Sequence, residues 1–356
     1  MNPRLRENDA WRHLVIKSGP TPAWLRGDGA DLDVVMSSRS RVARNLRGYP
    51  FPHSASKDEL KSIEQKVLGA IAKLDPNLEV LRNLSESEVD YLVHCRLVSA
   101  DFDPGMPHRS VVLDAARHMS LMINEEDHVR LQVITSGWNP RQADTTANRM
   151  ISKLASIVQF AQCESLGYLT TSPFNAGAAT RTSALFHLIG LAKTKRLKKV
   201  LDAVRAQRVV VRGLFGERSK AIAAYFQVSM TQRLKADFVG ACEYLIREER
   251  SARDSLTHDQ IYDLCLSAAY YGITQRGISY QTALETLAYI RWAAACRLPG
   301  FPDSPNMIDN IFVQLESRTH IDQERASRAR ADALRPFLES IWQNRATDSS
   351  KLQLRP

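Results

Sequence analysis

The hydrophobic pattern of the chain changes once, near residues 250–256, and that change bounds what it can fold into. Before it, short apolar runs with a period of two lie between helical patterns; from about 256 to about 343 the pattern is almost wholly helical, broken once by PGFPDSP at 299–305. Period two marks half-buried strands, and a period near 3.6 marks amphipathic helices. The chain therefore reads as a lead-in segment (1–33), an α+β domain (34–252), a smaller helical domain (253–345) and a flexible polar tail (346–356). It contains no internal repeats.

Strand signals are clearest from Val129 to Ile134, where Val129, Leu131 and Val133 alternate with Arg130 and Gln132. That alternation puts Arg130 on the face opposite the apolar side chains. Val111 to Leu113 and Met119 to Ile123 read as two more strands. Val34 and Val35 start a short one that runs out into a polar loop, MSSRSRVARN. Helices are expected at about 57–74, 85–99 and 194–207, and from Arg141 to Gln162 after the Asn139-Pro140 start signal. YLTTSPFNAGAATRTSALFHL reads as a Gly- and Ala-rich loop behind a short strand, and Arg208 to Phe215 as a strand ending in the turn Gly216-Glu217.

Bulk properties exclude some classes. No run approaches the roughly 20 apolar residues of a membrane-spanning helix, and the charged N-terminus has no apolar signal-peptide core. Five scattered cysteines without CxxC spacing argue against a disulfide framework or a zinc site and point to a reducing cytoplasm. The 48 Lys and Arg against 39 Asp and Glu leave a charge of +9, compatible with nucleic acid, nucleotide phosphates or anionic proteins. No basic recognition helix or aromatic stacking motif favours nucleic acid.

Four segments gather charge where strands end. Ser37-Ser38-Arg39-Ser40-Arg41 carries two arginines that face the same way in extended backbone and can clamp neighbouring phosphates. Asn124-Glu125-Glu126-Asp127-His128 sets three consecutive acids between apolar strands, which is costly unless they meet a cation, a metal or solvent. Asn175-Ala176-Gly177-Ala178-Ala179-Thr180-Arg181 has side chains small enough for a backbone to approach a ligand. Arg212-Gly213-Leu214-Phe215-Gly216-Glu217 adds a fourth arginine site and another acid. Taken singly, each is more often an ordinary surface feature. The usual nucleotide signatures (GxxxxGK[ST], GxGxxG after a strand, the HRD and DFG set) are absent.

In order and approximate spacing, SSRSRVARN (37–45), NEEDHVRLQ (124–132), SPFNAGAATR (172–181) and VRGLFGE (211–217) resemble the signature segments of the ATP:guanido phosphotransferase family, and the nearer likeness is to its protein-arginine kinase branch. The resemblance implies an antiparallel sheet flanked by helices, followed by the helical domain. It also implies a transfer of the ATP γ-phosphoryl group to arginine side chains of protein substrates. ATP would be bound by Ser37, Ser38, Arg39, Ser40, Arg41, Arg96, Arg130, Arg181, Thr182, Ser183, Ala184, Leu185, Arg212, Gly213, Leu214, Phe215, Gly216 and Glu217. Mg²⁺ would be held mainly through ATP, without a dedicated set of protein ligands.

Glu125 and Glu217 match the family's catalytic carboxylates, which orient the acceptor guanidinium and take up its proton; the sequence leaves open which of them takes it. Asn124, Glu126, Asp127 and His128 complete the acidic loop, and Ser172 and Asn175 the substrate loop. The branch also implies a phosphoarginine site at Arg325, Arg328 and Arg330, an activator protein and a homodimer, with neither nucleic acid nor membrane as partner. Three positions depart from the family pattern: Ser172 replaces a cysteine, Arg96 a histidine, and RASRAR (325–330) keeps only part of the phosphoarginine motif. The alternatives are a kinase of free arginine or another small guanidino compound, and a non-catalytic phosphoarginine adaptor. The lead-in, too short for the N-terminal domain of the small-substrate branch, disfavours the first.

Overall fold

The computed structural model describes residues 21–213, 222–231, 235–315 and 322–352, with 231, 235–237 and 345–352 as backbone only. Its centre is an antiparallel sheet of eight strands: β1 (Val35–Arg44), β2 (Glu79–Arg82), β3 (Ser110–Leu113), β4 (Met119–Ile123), β5 (Val129–Ser136), β8 (Thr180–His187), β9 (Val210–Gly213) and β10 (Tyr225–Thr231). The spatial order is β2-β3-β4-β5-β1-β8-β10-β9, so the first strand in sequence lies in the middle. A two-stranded ribbon, β6 (Gln162–Cys163) and β7 (Gly167–Tyr168), stands apart from it.

Helices cover both faces. Behind β1 and β5, Val42, Leu131 and Val133 pack against α1 (Lys57–Leu74) and α3 (Pro140–Ala155) through Ile63, Val67, Ala143 and Leu154. Farther along the same face, Ala184, Phe186 and Val228 meet α5 (Leu197–Ala206) and α6 (Lys235–Asp254), the latter two following the short α4 (Ile189–Lys193). On the opposite face, Val111, Leu113 and Met122 receive α2 (Glu86–His94). Ile134 and Leu185 on that face join a core with Leu284, Trp292, Ile308 and Leu338. That core draws on α7 (His258–Thr274), α8 (Tyr280–Ala295), α9 (Pro305–Gln314) and α10 (Gln323–Leu352).

The helical region starts where the pattern changes, and its apolar face closes directly onto the sheet. A buried ion pair locks that contact: Arg291 Nε donates to Asp309 Oδ1 at 2.7 Å, and Arg291 Nη2 donates to Leu32 O at 2.9 Å. Arg250 grips Asp33 and Asp31 at 2.7 Å each, so the lead-in to β1 is held by arginines of α6 and α8.

Several expectations are corrected. The polar loop expected after Val35 is the body of β1, and the Gly- and Ala-rich stretch contains β8, a central strand. Both look loop-like because one of their faces lines a polar cleft instead of a core. β10 was not anticipated, although Phe226, Val228 and Met230 recur with a period of two. α2 stops at His94, before Arg96 takes φ 61°, and α3 stops at Ala155. Asp309→Asn, which leaves Arg291 without its charge partner, is expected to cost about 3–5 kcal/mol; a urea-unfolding difference below about 1 kcal/mol would show that the pair does not lock the helices onto the sheet.

Candidate active site

Side chains directly opposite in an antiparallel pair share a face. Arg41 is paired with Gln132 on one side and Arg181 on the other, Ala43 with Arg130, Arg39 with Ser183, and Gln227 with Arg212. Strand register therefore brings Arg39, Arg41, Arg130, Arg181 and Arg212 to one face, where the helical covers leave a gap. Arg96, from the loop after α2, reaches the same face and donates to Ser37 Oγ at 3.0 Å. A small open cleft lies there, lined by Arg41, Arg130, Arg181, Glu126, Asp127 and Asn175 among others.

These guanidiniums crowd one another with little counter-charge. Burial, reinforced by Arg130 and Arg181, lowers Arg41 to about 9. Burial also lowers Arg96 to about 10, and Arg181 to about 10 with Arg212 and Arg130 adding to the effect. Arg39 is pulled well below its ordinary range by burial and then by Arg96, Arg41, Arg130 and Arg181. All remain cationic at neutral pH, so the face carries a positive potential that favours a polyanion.

Next to the cluster lies the acidic turn between β4 and β5. Glu125 is buried and its Oε2 accepts from Arg130 Nη1 at 2.5 Å and from the Glu126 N–H at 2.8 Å. Burial pushes its carboxyl up, but Arg130 and the Glu126 N–H outweigh burial and hold it below the usual range. Glu126, less buried, is raised by its own burial, with Asp127 and Glu125 adding to the effect against Arg130. Arg109 fixes the turn from outside, donating to Asn124 O at 2.8 Å and Glu125 O at 3.2 Å.

Asp127 and His128 hold the turn to β1. Asn45 Nδ2 donates to Asp127 Oδ1 at 2.6 Å, and the His128 N–H donates to Asn45 Oδ1 at 2.9 Å. The His128 ring accepts from the Leu46 N–H at 2.9 Å through Nδ1, which leaves Nε2 as the donor to Pro50 O at 2.8 Å. The ring is thus a neutral structural group, and burial lowers its pKa. Asn124 is structural too: with φ 54° it donates to Leu60 O and His108 O.

Other expected site residues face elsewhere. Thr182 donates to Asp144 Oδ1 at 2.9 Å on the helix-covered face, Ser38 donates to Gly137 O there, and Ser40 lies on that face as well. Ala184 and Leu185 are core residues. Ser183 accepts from Arg39 at 3.3 Å, and Gly213 ends β9. Leu214, Phe215, Gly216 and Glu217 lie outside the described residues. The small residues at 176–179 let the loop pack on the β6–β7 ribbon: Gly177 has φ 105°, and a Cβ at Gly167 would come within 2.8 Å of Gly177 O. Ser172 is half-buried, its carbonyl accepting from Thr170 Oγ1 at 2.7 Å, and Asn175 lines the cleft.

The three C-terminal arginines do not converge. Arg325 and Arg328 are exposed on α10, Arg328 pairing with Glu324, while Arg330 is buried and donates to Ile278 O at 2.6 Å. The sequence reading missed Gln227, Ser229, Asn45 and Arg109; the first two sit at the polar positions of the overlooked β10.

Residues 60–247, more than half of the chain, match the ATP:guanido phosphotransferase family in its C-terminal catalytic domain. The chain belongs to that family. It is similar to the protein-arginine kinase of Bacillus cereus (strain G9842), 33% identical over 256 residues that span 68% of this chain and 72% of that one. It is similar also to the protein-arginine kinase of Shouchella clausii (strain KSM-K16), 33% identical over 254 residues that span 68% and 71%. Among solved structures, lombricine kinase shares the fold with a TM-score of 0.56 at 20% identity, over 72% of this chain and 80% of that one.

The family's reaction is phosphoryl transfer between ATP and a guanidino group, and this guanido phosphotransferase has a cleft whose clustered cations suit the phosphates. Arg41→Gln is expected to lower turnover by roughly 10²–10³. Because Arg41 repels its neighbours, the nucleotide-free variant should melt no lower than the parent; a lower melting temperature would mean that Arg41 is there for the fold. His128 makes a second, pH-dependent prediction. Its folded pKa lies below 6.5, so its contribution to stability is full above that value and is lost as the pH falls through the folded pKa. Urea-unfolding midpoints measured above and below pH 6.5 should show that loss in the parent and not in His128→Gln.

Proposed function

We propose that this chain is a protein-arginine kinase that moves the γ-phosphoryl group of ATP to the guanidinium of arginine side chains in proteins, in the service of protein quality control. The observation that carries the reading is the juxtaposition in one cleft of Arg41, Arg130 and Arg181 with the acids of the 124–128 turn. The arginines suit the phosphates of ATP, and the acids suit an incoming guanidinium. Two relatives named protein-arginine kinases support a protein acceptor, at 33% identity across two thirds of the chain. So does Phe174, 92% exposed on the turn beside Asn175, where an apolar neighbour of a target arginine would meet it.

Phosphoryl transfer needs alignment and charge neutralisation more than covalent participation by the protein. Arg39, Arg41, Arg96, Arg130, Arg181 and Arg212 hold the phosphates. Mg²⁺ bound together with ATP would supply further neutralisation there, and Glu126 is the acid of the turn that would serve it. An arginine side chain is a poor nucleophile until it gives up a proton. Glu125 is held ionised by Arg130, which makes it a weak base and a good anchor. Its part is to orient the acceptor, with Glu217 as the second carboxylate that the family resemblance supplies for proton uptake.

The organisation follows the same reading: a catalytic domain over 34–252, in keeping with the family match that ends at 247, and a helical domain over 253–345. Arg325 and Arg328 are its exposed basic residues for a phosphoarginine ligand, with Arg330 serving the core. Buried thiols at Cys95, Cys242 and Cys265 accord with a reducing cytoplasm. An activator protein and a second copy of the chain are the partners to test. Among the described residues, no helix is long and apolar enough to cross a membrane.

The test is incubation with Mg·ATP and a casein-like unfolded protein, followed by mass spectrometry under non-acidic conditions. Phosphoarginine from the parent and none from a Glu125→Gln, Glu217→Gln double variant is the expected result. ATP turnover with free arginine alone would make the chain a small-guanidino kinase. Binding of a phosphoarginine peptide with no turnover would make it an adaptor.

A further inference from the structure

Two guanidiniums on the sheet face that carries the cleft meet on one neutral oxygen. Gln227 Oε1 accepts from Arg39 Nη2 at 3.1 Å and from Arg96 Nη2 at 3.1 Å. Three further bonds of the cluster also go to neutral acceptors: Arg39 Nε donates to Ser183 Oγ at 3.3 Å, Arg96 Nη1 to Ser37 Oγ at 3.0 Å, and Arg181 Nη2 to Ser229 Oγ at 2.6 Å. Among the described residues, no carboxylate forms an ion pair with Arg39, Arg96 or Arg181, whereas Arg130 has Glu125. Guanidiniums only donate hydrogen bonds, so the oxygen of the Gln227 amide must be the end that faces them.

Two like charges brought together at low dielectric repel, and they need a shared acceptor to fix their separation and direction. Gln227 is well placed for that. It lies on β10, in register with Leu185 of β8 and Arg212 of β9, so pairing on both sides fixes its backbone. A carboxylate at this position would make the same two hydrogen bonds and neutralise part of the charge. Glutamine holds the arginines and leaves the charge available.

We propose that Gln227 is a positioning residue of the nucleotide site: it fixes Arg39 and Arg96 as a pair and, being neutral, reserves their charge for the phosphates of ATP. The inference rests on the cleft being the ATP site and is independent of which guanidino acceptor is used. It makes two properties separable. Gln227→Glu keeps the acceptor and adds a negative charge; Gln227→Met keeps the approximate length and removes the acceptor.

The experiment compares the full-length parent with both variants, by calorimetric titration with Mg·ATP, by melting temperature without nucleotide, and by steady-state kinetics on the unfolded-protein substrate. Gln227→Glu should melt no lower than the parent and bind Mg·ATP about tenfold more weakly, since an internal carboxylate then competes with the phosphates. Gln227→Met should raise KM for ATP and lower kcat about tenfold, because the arginines lose their fixed geometry. Binding of Mg·ATP by Gln227→Glu within about twofold of the parent would overturn the charge-reserving role. Equal weakening by both variants with equally lowered melting temperatures would reduce Gln227 to a packing residue. If the parent itself binds no Mg·ATP, the assignment of the cleft as the nucleotide site fails, and this inference with it.

Discussion

Everything in the cleft depends on positive charge held in place without being neutralised. Strand register brings Arg39, Arg41 and Arg181 together, the loop after α2 adds Arg96, and Arg39, Arg96 and Arg181 are tied to hydroxyls and an amide. Neutral acceptors give direction to a guanidinium and leave its field intact, so a polyanion entering the cleft meets donors already aimed. The arrangement is costly in the empty protein, because desolvation and mutual repulsion both oppose it. The sheet supports it by burying large apolar surfaces behind β1, β5 and β8, away from the charges.

The acidic turn answers a different problem with similar means. Three successive acids between two strands would repel one another, and each is assigned a separate environment. Glu125 is paired with Arg130, Asp127 is bound by Asn45 and the Thr171 N–H, and Glu126 keeps contact with solvent. His128 and Asn45 stitch the turn to the end of β1, so the anion site and the acid site share one strand as their frame.

What the sequence disclosed follows from this division. Where one side of a strand is core, as with Val129, Leu131 and Val133, alternation was plain and placed Arg130 on the opposite face. The helices over 57–74 and beyond 256 were legible for the same reason, since an apolar stripe has one cause. β1 and β8 were obscured because their second face is a polar cleft, so Ser, Arg and Thr diluted the strand signal. The arginines and acids could be named from the resemblance, but not what holds them. The roles of Gln227, Ser229 and Asn45 depend on register between strands far apart in sequence, and local pattern carries no information about register. The three basic residues at 325–330 failed to group for a related reason: helical phase turns Arg330 into the core.

The central place of the first strand also governs how the protein comes into being. Arg39 finds its partners on Ser183 and Gln227, 144 and 188 residues farther along the chain. Contacts of such separation form late and are slow to find. During synthesis, therefore, β1 emerges with its arginines on a flexible chain, solvated and far apart in potential. The concentrated positive cleft comes into existence only when β8 and β10 have been made and have closed around β1. The arginine cluster is thus a property of the completed sheet, and no shorter stretch of the chain contains it.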